Sequence, residues 1–373
     1  MKDLSVKDPK RLLCLLSGMN AGGAETFLMK IYRQLDKHKY QMDFCINVKE
    51  KCFYEDEILS LGGKIYRIPP KSQSVKEFRR QLTDVVRDNQ YDYVLRVTSS
   101  AMGFMDLKIA KKAGAKVCSA RSSNSSDGGG LKAYIAHRLG GILYHKYVDV
   151  KFAPSDLAAS YTFGKKALKK NQVCILNNGV DTDVFKFDID ARNDIRKEFG
   201  VEEDQFVIGH IGRFMKQKNH EFLLKVFNEI CKTNYNSKLM LVGIGELEKE
   251  IKQQIKELGL EDKVIFTGVR SDISKLLSAM DVFVFPSFYE GMPNTVIEAQ
   301  ATGLPCVIAD TITKGADITG LVHYLSLSDN QTVWAKKALE LIKNDRKDTR
   351  EDFVKNCYDI ESVVNKFTEL VFD

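Results

Sequence analysis

Eight cysteines in 373 residues form no Cys-x-x-Cys pair, and five of them (Cys14, Cys45, Cys118, Cys174 and Cys306) sit in apolar, strand-like runs. That pattern indicates neither a zinc knuckle nor a disulfide framework. No apolar run approaches the roughly 18–20 residues that cross a bilayer. The segment Met1–Asp8 mixes charges and has no apolar h-region, so a cytosolic chain is expected. Low-complexity tracts and internal sequence repeats are missing. Gly243-Ile244-Gly245 lacks the third glycine of a dinucleotide fingerprint, because Glu248 takes its place. His137 and His145 are eight apart, a poor spacing for metal ligands. Asn124-Ser125-Ser126 reads as a glycosylation sequon, which has no meaning in a cytosolic chain.

What is present is globular. Hydrophobic residues make up 44% and charged residues 28%, and a chain this long is expected to split into two domains. The net charge of +6 is unevenly placed. Residues 1–180 carry 31 Lys/Arg against 17 Asp/Glu, a net +14, and residues 181–373 carry 25 against 33, a net −8. The basic excess gathers in Lys71–Arg80, Lys108–Lys116 and Lys165–Lys170, and points to an anionic partner unless these are simply solvated helix faces.

Short β-branched runs alternate with longer amphipathic stretches, the pattern of parallel α/β units. Strands are expected at 11–17, 41–47, 64–68, 91–97, 115–120, 148–153 and 173–176, then at 205–211, 238–242, 263–267, 281–285 and 305–309. The turn Asn177-Asn178-Gly179 interrupts the pattern and sets the expected boundary. Domains of 1–180 and 181–350 follow, with 351–373 as a final amphipathic helix able to pack where the domains meet.

The strongest chemical signal is Pro286-Ser287-Phe288-Tyr289-Glu290-Gly291-Met292-Pro293-Asn294-Thr295-Val296-Ile297-Glu298. An apolar strand runs into a loop, and Pro293 suits the first position of a helix. Helix-start N–H groups favour an anion or sugar oxygens, an effect of about 0.3–1 kcal/mol when exposed and up to about 2 when partly buried. Glu298 lies roughly 7–8 Å along the helix at 1.5 Å per residue, so only a long ligand with two polyol ends could use both glutamates. A second cluster, Gly212-Arg213-Phe214-Met215-Lys216-Gln217-Lys218-Asn219, sets two cations after a strand, which read alone as ordinary surface basics.

These two stretches resemble the retaining glycosyltransferases of family 4, whose hallmark is Glu-x7-Glu in a strand–loop–helix setting. The resemblance implies the GT-B architecture, an α/β fold of two Rossmann-like domains facing across a cleft. It also implies that Glu290 holds donor-hexose hydroxyls, that Gly291, Met292, Pro293, Asn294 and Thr295 receive the distal phosphate, and that Glu298 binds the ribose. Arg213 and Lys218, with Gly212 beside them, would clasp the diphosphate, and Glu290, Arg213 and Lys218 form the catalytic set. Phe266-Thr267-Gly268-Val269-Arg270 resembles the turn that receives the nucleobase, with Val269 and Arg270 at the donor. Gly18-Met19-Asn20-Ala21-Gly22-Gly23 resembles the loop whose Gly22 and Gly23 face the donor.

On the acceptor side many relatives carry a His after the fifth strand, whereas this chain has Ser119-Ala120-Arg121-Ser122-Ser123-Asn124. Arg121 could take an acceptor phosphate, and Ser122, Ser123 or Asn124 sugar hydroxyls. Asp181-Thr182-Asp183 matches a metal-chelating Asp-x-Asp but follows a turn in a linker, so it is expected to be structural and no metal is expected.

The expected activity is retaining, metal-independent transfer of a hexose from a nucleotide diphosphate sugar, UDP-linked, with no cofactor. Residues 310–326 are most like members that build capsular polysaccharide or exopolysaccharide. With the basic front half, this implies a lipid-diphosphate-linked acceptor, peripheral docking on the anionic inner leaflet, and no nucleic-acid partner. Two alternatives are a same-fold nucleotide-sugar 2-epimerase and a non-catalytic nucleotide-sugar-binding scaffold.

Overall fold

The computed structural model describes residues 8–20, 22–123, 130–233 and 236–373. The chain forms two compact units, one of residues 1–179 with Ile360–Asp373, the other Val180–Asp359.

The first unit holds seven parallel strands: β1 (Lys10–Leu15), β2 (Tyr40–Ile46), β3 (Ile65–Arg67), β4 (Tyr93–Thr98), β5 (Val117–Ser122), β6 (Val150–Ala153) and β7 (Cys174–Ile175), in the order β3-β2-β1-β4-β5-β6-β7. Successive residues of β1 are buried on opposite faces. Leu12 and Cys14 join a core with helices Gly23–Gln34 and Ile360–Phe372, while Leu13 and Leu15 join another with Val75–Asp88 and Phe104–Ala113. Double-sided burial is what near-continuous apolar runs in parallel strands demand.

The second unit has six parallel strands: β8 (Phe206–Ile211), β9 (Ser237–Val242), β10 (Val264–Gly268), β11 (Val282–Phe285), β12 (Cys306–Ala309) and β13 (Val322–Leu325), in the order β10-β9-β8-β11-β12-β13. Strand order reverses between β8 and β11. In open α/β sheets this switch point leaves a crevice beyond the strand ends where ligands bind.

Two expectations are corrected. Residues 351–373 are not one helix: Arg350–Lys355 belongs to the second unit, and the chain turns at Cys357 (φ 54°) before Ile360–Phe372 joins the first. There Val363, Phe367, Val371 and Phe372 are buried, and Phe367 meets Phe27 and Phe152 edge-on. Gly179 is glycine for a steric reason, since a Cβ would lie 2.9 Å from Ile360 Cδ1. Strand β13 was also unforeseen: Val-His-Tyr-Leu is short, and only its first residue is buried.

Candidate functional site

The two loops that the sequence singled out leave the ends of β8 and β11, on either side of the switch point. The β8 loop is shaped by a 3-10 turn, Lys216–Lys218, closed by Asn219 in the left-handed region (φ 55°). Asparagine tolerates that conformation better than most residues. Three hydrogen bonds tie the loops together: Phe288 N donates to Gln217 O (2.9 Å), Gln217 Nε2 to Tyr289 O (2.8 Å), and Asn219 Nδ2 to Pro286 O (3.1 Å).

At their centre Lys218 Nζ donates to Glu290 Oε1 at 2.7 Å, with side chains 16% and 10% exposed. Lys218 Nζ also lies 4.6 Å from the centroid of the Phe285 ring. Its stem passes over Gly212, where a Cβ would come within 3.2 Å of Lys218 Cδ and Cε and of His210 Nε2. An ammonium and a carboxylate held together, half-desolvated, are placed to separate around a ligand with an anionic part and a hydroxylated part. Arg213 is 70% exposed, with only a loose 3.8 Å approach to Glu246, so its guanidinium is available to an anion.

Helix Asn294–Ala301 starts one residue later than expected. Pro293 is its N-cap, in extended conformation, and its carbonyl accepts from Val296 N (3.0 Å) and Ile297 N (3.2 Å). Pro293 is buried and has no N–H, so any amide grip falls to Gly291, Met292, Asn294 and Thr295. Met292 packs beneath the loop, where Tyr358 reaches its sulfur at 3.9 Å. Glu298 lies within the helix, partly exposed. Val269 is 73% exposed just beyond β10, whose Gly268 has a φ of 69°. Arg270 is engaged otherwise: it forms paired bonds to Asp272 and Glu198 (2.5–3.1 Å), and these carboxylates raise its pKa. In this arrangement it braces the turn.

Residues the sequence reading missed lie under the pair. His210 is fully buried, its Nδ1 2.9 Å from Val284 O, and His220 packs on it at 4.8 Å between ring centroids. Burial pushes His210 well down and His220 to about 4, with Lys218 adding to both. Only the spacing His210-x9-His220, starting inside the buried strand β8, could have hinted at them.

In the first unit the loop placement of the acceptor candidates is corrected. Strand β5 runs on to Ser122, so Arg121 and Ser122 are buried strand residues and not loop residues. Ser122 Oγ is engaged by Ala158 O (3.2 Å) and Thr162 Oγ1 (2.7 Å). Arg121 donates to Asn178 Oδ1 at 2.6 Å and stacks 3.8 Å from the Phe27 ring, and desolvation lowers its pKa to about 9. Ser123 is partly exposed, its N–H bonded to Thr98 O (3.0 Å), and Asn124 lies outside the described residues. Gly22 caps helix Gly23–Gln34, and the Glu25 carboxylate folds against it where a Cβ would sit.

The lookalikes have local partners. Asp181 Oδ1 accepts from Asp183 N (3.0 Å) and Val184 N (3.2 Å), and Asp183 pairs with Arg350 at 2.9 Å. His137 is buried and bonded to Ala101 N (3.2 Å), with Nε2 3.0 Å from Tyr161 O, while His145 is exposed.

Two Rossmann-like units, with cations and carboxylates at the second unit's switch point, are the parts of the GT-B glycosyltransferase class. Family models agree: Glycosyltransferase Family 4 matches residues 21–184 and Glycosyl transferases group 1 matches residues 191–359. EpsF of Bacillus subtilis (strain 168), provisionally named a glycosyltransferase, is 37% identical over 88% of this chain and 86% of its own length. The chain therefore belongs to the group 1/family 4 glycosyltransferases.

A capsular polysaccharide biosynthesis glycosyltransferase of Staphylococcus aureus, CapH, is 24% identical over 96% of this chain and 98% of its own. An Escherichia coli enzyme named UDP-Gal:alpha-D-GlcNAc-diphosphoundecaprenol alpha-1,3-galactosyltransferase is 34% identical over 37% of each chain. Among solved structures, Anabaena HepE in complex with UDP and glucose shares the fold, with a TM-score of 0.77, 18% identity, and coverage of 96% of this chain and 98% of that one.

Proposed function

We propose that this glycosyltransferase moves a hexose from a UDP-sugar to a lipid-diphosphate-linked glycan acceptor, with retention and without a metal, in polysaccharide assembly at the inner face of the membrane. The observation that carries the reading is the half-buried Lys218–Glu290 pair at the switch point, with exposed Arg213 beside it. When donor binds, Lys218 and Arg213 turn to the diphosphate and Glu290 to the sugar hydroxyls. The two cations then stabilise charge growing on the leaving phosphate, the role a metal fills elsewhere. In the transfer step the bond from the anomeric carbon to the phosphate oxygen breaks. The acceptor oxygen bonds to that carbon on the same face, and its proton passes to the departing phosphate oxygen. Glu290 positions the sugar and is not a nucleophile.

The UDP-linked donor is supported by the ligands of the HepE structure and by the name of the E. coli relative. The lipid-diphosphate acceptor is supported by that same name and by the net +14 over residues 1–180. Gly22, Gly23, Ser123 and the exposed Val269 remain proposed ligand contacts.

The test is a thermal-shift and hydrolysis screen of UDP-, GDP- and ADP-sugars in EDTA, on wild type and Glu290→Ala. The expected result is stabilisation by UDP, slow hydrolysis of one UDP-sugar, and loss of hydrolysis in the variant. Turnover that EDTA abolishes overturns the metal-free reading, and conversion of donor to its epimer favours the epimerase.

A further inference from the structure

Helix Leu131–Tyr144 turns an apolar face outward. Tyr134 (52% exposed), Ile135 (48%), Leu139 (49%), Ile142 (69%) and Leu143 (54%) lie on one side of its 14 residues. The opposite side is firmly seated. His137 is bonded to Ala101 N and packs on Tyr161, and at Gly140 a Cβ would come within 2.6 Å of Met102 N. The outward face is thus a built feature of a fixed helix, and apolar surface grouped this way marks an interaction site.

Its surroundings are cationic. Lys132, Arg138 and Lys146 are exposed on the helix or just after it. Beside Tyr144 a cavity of about 220 Å³ is lined by Arg79, Lys108 and Lys112 together with Thr83, Met105 and Ile109, and no acidic residue lines it. Among the described residues no helix is long and apolar enough to cross a membrane. An outward face that interleaves apolar side chains with the exposed Lys132 and Arg138 suits a helix lying in the plane of a lipid interface, the long cationic stems reaching up to the headgroups. Net charge decides between occupants: +14 over residues 1–180 opposes a second copy of the same face and attracts anionic lipid.

We propose that helix Leu131–Tyr144 is the element by which this chain lies on an anionic phospholipid bilayer. Ile135, Leu139, Ile142 and Leu143 enter the acyl boundary, and the Arg79–Lys108–Lys112 cavity receives a lipid phosphate. The inference rests on the membrane-surface reading of the acceptor and gives it a specific element.

The test is sedimentation of the full chain with vesicles of phosphatidylcholine alone or with added phosphatidylglycerol, on wild type and on the combined variant Ile135→Gln, Leu139→Gln, Ile142→Gln. Wild type is expected to bind the anionic vesicles. The combined variant should bind about tenfold more weakly or worse, with unchanged UDP-sugar hydrolysis and circular dichroism. In Ile142→Trp, a single change on the outward face, bromine-labelled lipid should quench the new indole, since Trp334 is fully buried.

Anionic-vesicle binding equal to wild type in the combined variant, or an unquenched indole in Ile142→Trp, overturns this helix as the docking element while leaving the membrane reading intact. Wild type that ignores both vesicle types overturns both. A wild-type dimer that the combined variant dissociates, with vesicle binding unchanged, assigns the face to a second copy and also overturns the proposal.

Discussion

Lys218 and Glu290 sit 2.7 Å apart with little solvent around them, and each depends on the other. Removing one leaves the other half-buried without its counter-charge. Lys218→Met should therefore cost about 10²–10³ in kcat if the ammonium stabilises charge on the leaving phosphate. Steady-state transfer rates check this, and a change confined to KM would assign Lys218 to ground-state binding alone. The buried imidazoles beneath predict an acid-sensitive donor unit. His220 falls from its ordinary 6.5 to about 4 because burial disfavours its charged form, so the folded chain binds fewer protons than the unfolded one between those values. Its stabilising contribution is present above pH 6.5 and lost as pH falls toward 4, about 3 kcal/mol across that window. His210 shifts the same way and steepens the loss. Urea midpoints measured from pH 7 to 4.5 should fall, and the fall should flatten in His220→Phe.

At the scale of elements, backbone crowding fixes the β8 loop. Gly243 (φ 133°) follows β9 with its Cβ position against the Gly212 carbonyl, and the Cβ position of Gly245 lies against Phe214. Gly243→Ala should destabilise the second unit by about 2 kcal/mol or more, by strain and by collision with backbone that cannot yield. It should also weaken nucleotide binding, because the loop it displaces carries Arg213 and Lys218; chemical denaturation and UDP titration check the two effects. Helix Ile360–Phe372 makes a parallel case in the first unit, where Phe367→Ala should cost about 3–5 kcal/mol as a buried aromatic.

Much of this was legible in the sequence. Apolar runs with turn residues between them marked twelve of the thirteen strands among the described residues, because strands buried on both faces leave little choice of residue. The pairing of the β8 and β11 loops through Lys218 and Glu290 was legible because cations and carboxylates at two strand ends stand out chemically. The end of β5 was not. Ser119-Ala120-Arg121-Ser122 looks like loop, yet it is strand, since Ser122 bonds its hydroxyl within the fold and Arg121 sets its guanidinium against Asn178 and Phe27. Local composition cannot report such distant partners. The ion pairs of Arg270 were hidden for the same reason: its partner Glu198 is 72 residues away.

Across the whole molecule, charge and chemistry are divided. Residues 1–180 carry the basic excess and the outward helix, while Gly212, Arg213, Lys218, Glu290 and Glu298 all lie in the unit Val180–Asp359 with its own core. A ligand held by one unit stabilises that unit by mass action, about 2.7 kcal/mol at a concentration 100 times its Kd. In calorimetry, UDP should raise the transition of the second unit by several degrees.

The most direct test of the central claim is isothermal titration of UDP and of the preferred UDP-sugar, in EDTA, into wild type, Lys218→Met and Glu290→Gln. The account predicts that wild type binds both ligands without metal and that Lys218→Met loses affinity for both. Glu290→Gln should keep its affinity for UDP and lose the increment due to the sugar. If both variants bind UDP and UDP-sugar as wild type does, the switch-point pair is not the donor site and the account is contradicted.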